Sequence, residues 1–119
     1  MILFRDRAST VLYDVLMTLN KSIKFLLPLN ICPIVPDTFI KAKIEFEFVD
    51  IDIDTLCIDE SSALEAIKDD SSIGGILFVK TFGIEIDSEV FYKKIKQINR
   101  DIFIIDDQCL SMQNFDFDI

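Results

Sequence analysis

Two carboxylates side by side, Asp106 and Asp107, follow four apolar residues, Ile102 to Ile105. That run is β-branched except at Phe103, and a short, wholly apolar run of this kind fits a strand buried on both faces, as in a parallel sheet covered by helices. Ligands of such sheets bind in the crevice beyond the carboxyl ends of the strands, which is where these acids stand. Side chains alternate along a strand, so the two cannot point the same way. One faces the site and the other faces solvent or a helix N-terminus. The plainer alternative is that both end the strand and solvate a turn.

Other residue types narrow the chemistry. The chain contains no histidine and no tryptophan, which removes His-dependent triads, most zinc sites and imidazole acid–base catalysis. Any catalysis must run through carboxylates, lysines, hydroxyls, thiols or a cofactor. Cys32, Cys57 and Cys109 are far apart, odd in number and without metal-ligand spacing, so reduced thiols of a cytoplasmic protein are expected. Asp50, Asp52 and Asp54 alternate in an acidic stretch, but the glycine and distal glutamate of a calcium loop are not in place. Ser9 and Thr10 precede a helical pattern, where a hydroxyl caps the helix or, with the free amides, holds a phosphate.

The elements that position these residues follow from periodicity. Val11, Leu12, Val15, Leu16 and Leu19 recur at helical spacing between Arg7 and Asn20. Ile23 to Leu27 reads as a strand ended by Pro28, and Pro33 opens a helix running through Phe39 to about Ala42. Lys43 to Asp50 has a period of two, with Ile44, Phe46 and Phe48 opposite Glu45 and Glu47, which places it at an edge or with one wet face. Asp59 or Ser61 caps a helix over Ser62–Lys68, Gly75–Val79 is a buried strand, and Asp87 caps a helix to about Asn99. The tail 113–119 alternates weakly. Helix and strand alternate throughout, which predicts an α/β three-layer sandwich with a mostly parallel sheet.

Composition sets further bounds. At 119 residues, half of them hydrophobic and eleven of them Phe, the chain has ample core material for one small domain or a piece of a larger one. So apolar a short chain is expected to bury some of its surface against another chain or against a further part of the same one. The net charge of −9 disfavours nucleic acid and anionic membranes as partners. The cations Arg5, Arg7, Lys21 and Lys24 cluster near the start and read as a solvated face. Met1 to Phe4 meets charge at Arg5, so no secretory leader is expected, and no apolar run approaches a membrane span.

Several stretches together resemble the DegT-like (StrS) sugar aminotransferases, pyridoxal-phosphate-dependent enzymes of fold type I. Leu26-Leu27-Pro28 through Cys32-Pro33 is similar to that family's strand, proline and active-site loop. Phe48-Val49-Asp50-Ile51-Asp52, then Asp54-Thr55-Leu56 and Ile58-Asp59, is similar to its "FVDID-x-DTL-x-ID" stretch, the most specific match. Val79-Lys80-Thr81-Phe82-Gly83 with Asp87 resembles "V-H-x-Y-G" and its following Asp, and Ile104 to Asp107 resembles the strand ending in "I-E-D". The likeness runs from about Arg7 to Ser111, most of this chain but only the front of such an enzyme.

The resemblance implies pyridoxal phosphate as cofactor, a single partial domain over residues 1–119, and a homodimer acting on a sugar-nucleotide substrate. It assigns Asp107 to the pyridine nitrogen, because the cofactor works as an electron sink only while that nitrogen stays protonated. Ser9 and Thr10 take the phosphate and Cys32 covers the ring. The departures are a non-aromatic Cys32, Gln108 directly after the acids, and no lysine after Lys96. The family's Schiff-base lysine and small domain lie further on. The expected function is therefore a truncated or degenerate sugar aminotransferase that does not transaminate as this chain. The alternatives are an interaction module that keeps the fold without the site, and a receiver-like acidic magnesium site, for which the order of acids is wrong.

Overall fold

A computed structural model describes residues 2–80 and 86–109. Four helices and four strands alternate: α1 (Ala8–Thr18), β1 (Lys24–Pro28), α2 (Ile34–Ala42), β2 (Glu45–Val49), α3 (Glu60–Asp69), β3 (Ile73–Val79), α4 (Glu89–Ile98) and β4 (Phe103–Asp107). The strands form one sheet in the order β2-β1-β3-β4, and every pairing is parallel. The α/β sandwich expected from the alternation is the fold observed. As expected from its period of two, β2 lies at an edge, with Phe48 exposed on it.

Alternation along the strands feeds two cores. On one face Phe25, Leu27, Leu77 and Ile105 pack against Leu16 of α1 and Phe39 and Ala42 of α2. On the other face Leu26, Ile76, Phe78 and Ile104 pack against Ala63 and Ile67 of α3 and Phe91, Tyr92 and Ile95 of α4. The register along β3 and β4 is therefore doubly enforced, since a one-residue slip would exchange the two cores. Gly75 has a steric reason as well. A Cβ there would stand 2.2 Å from the Phe25 ring, far inside contact distance, so the bare backbone of β3 is what admits Phe25 to the sheet.

The element ends differ from the sequence expectations in instructive ways. Ser9 and Thr10 do not cap α1. The helix starts at Ala8, and its N-cap is Arg7, whose side chain makes no capping bond. Of the two candidates for α3, Asp59 is the cap, its carboxylate accepting from the Ser62 amide. For α4 the N-cap is Ser88, while Asp87 accepts from the Glu89 amide at 3.0 Å. The largest difference is at β4. Asp106 and Asp107 are not beyond the strand but inside it, paired with Phe78 and Val79. The ladder continues because the Lys80 amide donates to the Asp107 carbonyl at 3.0 Å. Among the described residues no helix is long and apolar enough to cross a membrane. The tail and Thr81 to Gly83 of the motif after β3 lie outside the described residues.

Candidate functional site

The sheet order reverses between β1 and β3, and in doubly wound sheets the ligand crevice opens at that switch point. A cleft of 420 Å³ lies here, walled by α1, the loop after β1, the start of α2 and the ends of β3 and β4. Its size is that of a small-molecule site, and its wall is mostly apolar with few polar groups. Leu12, Val15, Val35, Leu77 and Ile105 supply the apolar wall, and Ser9, Cys32, Asp107 and Cys109 stand on it too.

Each residue reaches the cleft for a local reason. Asp107 continues the phase of Phe103 and Ile105, the β4 residues that face α1 and α2. Its Oδ1 accepts from the Cys109 amide at 3.1 Å, which ties the carboxylate to the chain leaving the strand. Partial desolvation, and then the neighbouring Asp107 carboxylate, push the Cys109 thiol above its ordinary range. A raised thiol is a poor nucleophile, so Cys109 is a wall residue. Cys32 is carried by a tight loop in which the Ile31 amide bonds the Pro28 carbonyl and the Val35 amide bonds the Cys32 carbonyl.

Ser9 lies in the first turn of α1, where the Thr10 amide already donates to the Arg7 carbonyl at 3.0 Å and the amides before it are the ones a helix start leaves for outside partners. That turn contains no acidic residue and no capping side chain, so its partial positive charge is not answered from within the helix. The structure thus gathers Ser9, Cys32 and Asp107 at one cleft. Thr10 does not join them. It is exposed and absent from the wall, because one residue of helix turns its side chain about 100° from that of Ser9.

Asp106 has the opposite environment. Its carboxylate is buried on the α3/α4 face beside the equally buried Lys80 ammonium, Nζ to Oδ2 3.5 Å. Gln108 Nε2 donates to the same oxygen at 3.0 Å. Oδ1, the Ser88 hydroxyl and the Tyr92 hydroxyl are buried without a hydrogen-bond partner among the described residues. Burial, and after it the Asp106 carboxylate, hold the Tyr92 phenol well above its ordinary range, against an opposing pull from the Ser88 hydroxyl. Sequence reading did not assemble this cluster. Its signal was present in the period of two, which sets Phe78 and Lys80, and likewise Ile104 and Asp106, on one face.

The acidic stretch after β2 is also accounted for locally. Asp52 Oδ1 accepts from the amides of Asp54 and Thr55 at 2.8 and 2.9 Å. The Asp52 and Asp59 amides donate to the Cys57 and Asp50 carbonyls. The motif closes a loop and delivers Asp59 to cap α3.

The fold is that of the front portion of the large domain of fold type I pyridoxal-phosphate-dependent enzymes. No family model matches the chain, and no curated protein matches its sequence. Solved structures do. A GDP-4-keto-6-deoxymannose-3-dehydratase with a trapped PLP-glutamate geminal diamine superposes with a TM-score of 0.73 at 28% identity, over 91% of this chain and 28% of that one. NtdA from Bacillus subtilis with bound PMP gives 0.69 at 21% identity, over 87% and 24%. The sugar aminotransferase CalS13 from Micromonospora echinospora gives 0.68 at 15% identity, over 83% and 28%. The resemblance to pyridoxal-phosphate-dependent sugar enzymes read from the sequence is thus seen in three dimensions. The chain spans about 28% of the first of these proteins.

Proposed function

We propose that the cleft is a pyridoxal-phosphate site of the DegT-like (StrS) type. The observation that carries this reading is the sharing of one apolar cleft by Asp107 and the uncapped N-terminus of α1. A carboxylate and an anion-binding helix end are what a cofactor with a protonated ring nitrogen and a phosphate requires. When bound, that cofactor supplies an electron sink. Asp107 holds the proton on the ring nitrogen through a charge-assisted hydrogen bond. The Ser9 hydroxyl and the first amides of α1 bind the phosphate, with Thr10 beside them in the same turn. Cys32 covers the ring as a small apolar lid, and the surrounding aliphatic wall excludes water.

In the whole protein this site would serve amino transfer from an amino acid such as glutamate to a keto-sugar nucleotide, in a cytoplasmic homodimer. The experiment is an absorbance titration of the purified chain with pyridoxal phosphate, followed by borohydride trapping and peptide mapping. Saturable binding that Asp107→Ala weakens, with no specific lysine trapped, is the expected result. Absence of binding would overturn the reading and leave the fold as an interaction module. A specific trapped lysine would show that the described chain carries a Schiff-base residue of its own.

A further inference from the structure

The two aspartates at the end of β4 pose a problem that their own chemistry cannot solve. They are identical and adjacent, and strand alternation sends one to each face of the sheet. Nothing in a carboxylate says which of the two belongs in the cleft. Burying either one costs free energy unless a partner neutralises it.

The core alternation of β4 sets Asp107 on the cleft side, and we propose that Lys80 holds it there, with Asp106 as the positioning residue. This rests on the cofactor reading of the cleft and deepens it. Lys80 grips β4 at successive residues. Its amide donates to the Asp107 carbonyl at 3.0 Å, and its ammonium lies 3.5 Å from Asp106 Oδ2. Attachment at both points fixes the peptide between the aspartates in translation and in rotation about the strand. The grip is internal, with Lys80 and Asp106 side chains only 5% and 1% exposed. Gln108 adds a third hold by donating to Asp106 Oδ2 at 3.0 Å.

A buried ion pair is weak evidence for stability, since a packed apolar pair often does as well. Here the pair has a geometric use instead. Lys80 continues the phase of Ile76 and Phe78 toward α3 and α4, so it offers its charge on that face alone. The carboxylate that meets it is withdrawn from the cleft, and alternation leaves the next one, Asp107, on the cleft wall. The Asp107–Cys109 contact is the local record of that placement.

The test follows amide hydrogen exchange at Cys109 together with pyridoxal phosphate affinity in Lys80→Gln and Asp106→Asn, both near-isosteric. Each folded variant is expected to exchange Cys109 faster and to bind the cofactor more weakly, each by roughly tenfold, the worth of one charge-assisted contact. The double variant K80M/D106L again gives residue 106 a preference for the buried face, and it is expected to return both readouts to within about threefold of the parent. Folded single variants with parental exchange and affinity, even if less stable, would overturn the proposal. So would a folded double variant as weak as the singles. If the single variants do not fold, Gln108→Ala removes the 3.0 Å hold on Asp106 while leaving Lys80 in place, and unchanged Cys109 exchange and affinity there would also overturn it. Failure of the parent to bind pyridoxal phosphate sinks the cofactor reading instead, while Cys109 exchange still decides this one.

Discussion

The two faces of the sheet receive the same side chain at the same strand end and treat it in opposite ways. On the α3/α4 face Asp106 is enclosed, charge-paired with Lys80 and bonded by Gln108. On the α1/α2 face Asp107 is half-buried on the wall of an apolar cleft. Of the four described helices, α3 alone has a side-chain cap, from the Asp59 carboxylate, and α1, α2 and α4 have none. The α3/α4 face pairs its carboxylate from within, although Asp106 Oδ1 and the Ser88 and Tyr92 hydroxyls there have no hydrogen-bond partner among the described residues. The other leaves a carboxylate and a helix end for something else to satisfy, and that contrast separates a structural face from a binding face.

The largest expected effect tests whether the sheet itself underlies both faces. Gly75→Ala drives a methyl into Phe25, 2.2 Å from its ring, and should cost about 3 kcal/mol of stability, at the upper end for overpacking. Denaturant midpoints measure it, and a neutral substitution would mean that β1 and β3 can separate without loss. Next, Asp107→Ala should weaken pyridoxal phosphate binding by about 2 kcal/mol, or roughly thirtyfold, with little change in melting temperature. A large fall in stability with unchanged affinity would reverse the contrast between the faces.

Smaller still, Asp59→Ala should cost about 1 kcal/mol of stability and leave cofactor affinity unchanged, because Asp59 serves only the closed face. Calorimetry and titration on one variant separate those outcomes. The least effect is expected from the strand start, away from the cleft. Lys24 meets Glu47 and Asp70 at 3.2 and 2.5 Å, and the Lys24 and Ser72 contacts lower Asp70 to about 2. A folded-state value below the unfolded one stabilises above the unfolded value of about 3.9, and the contribution is lost as pH falls toward about 2. Asp70→Asn should therefore flatten the acid limb of the stability curve in that window only, by a small amount because the pair is exposed. An unaltered acid limb would remove Asp70 from the balance.

Much of this was legible in the chain itself. Apolar runs and spacing, with the caps, located the four helices and four strands of the described residues, because burial on one or two faces writes itself into the placing of Ile, Leu, Val and Phe. The alternation of element types implied a parallel sheet, and the period of two at Ile44, Phe46 and Phe48 implied an edge or one wet face for β2, of which the edge is observed. Asp107 was singled out by resemblance with Ser9, Thr10 and Cys32, and three of these four stand on the cleft wall. Helix starts were less legible. A hydroxyl near the start of an apolar pattern suits either the cap or the first turn, and only the path of the chain before α1 put Arg7 at the cap.

What tertiary structure alone decided was the fate of neighbours that sequence treats as equals. Asp106 and Asp107 are the same residue one position apart, and Ser9 and Thr10 nearly so. The sequence determined that each pair splits between directions, since strand alternation and helical rotation are local geometry. Which member faces the cleft depended on long-range packing: the two cores that fix the register of β4 against β3, and the phase of α1 against α2 and the sheet. Such contacts form by packing across the whole domain, and local spacing carries no record of them.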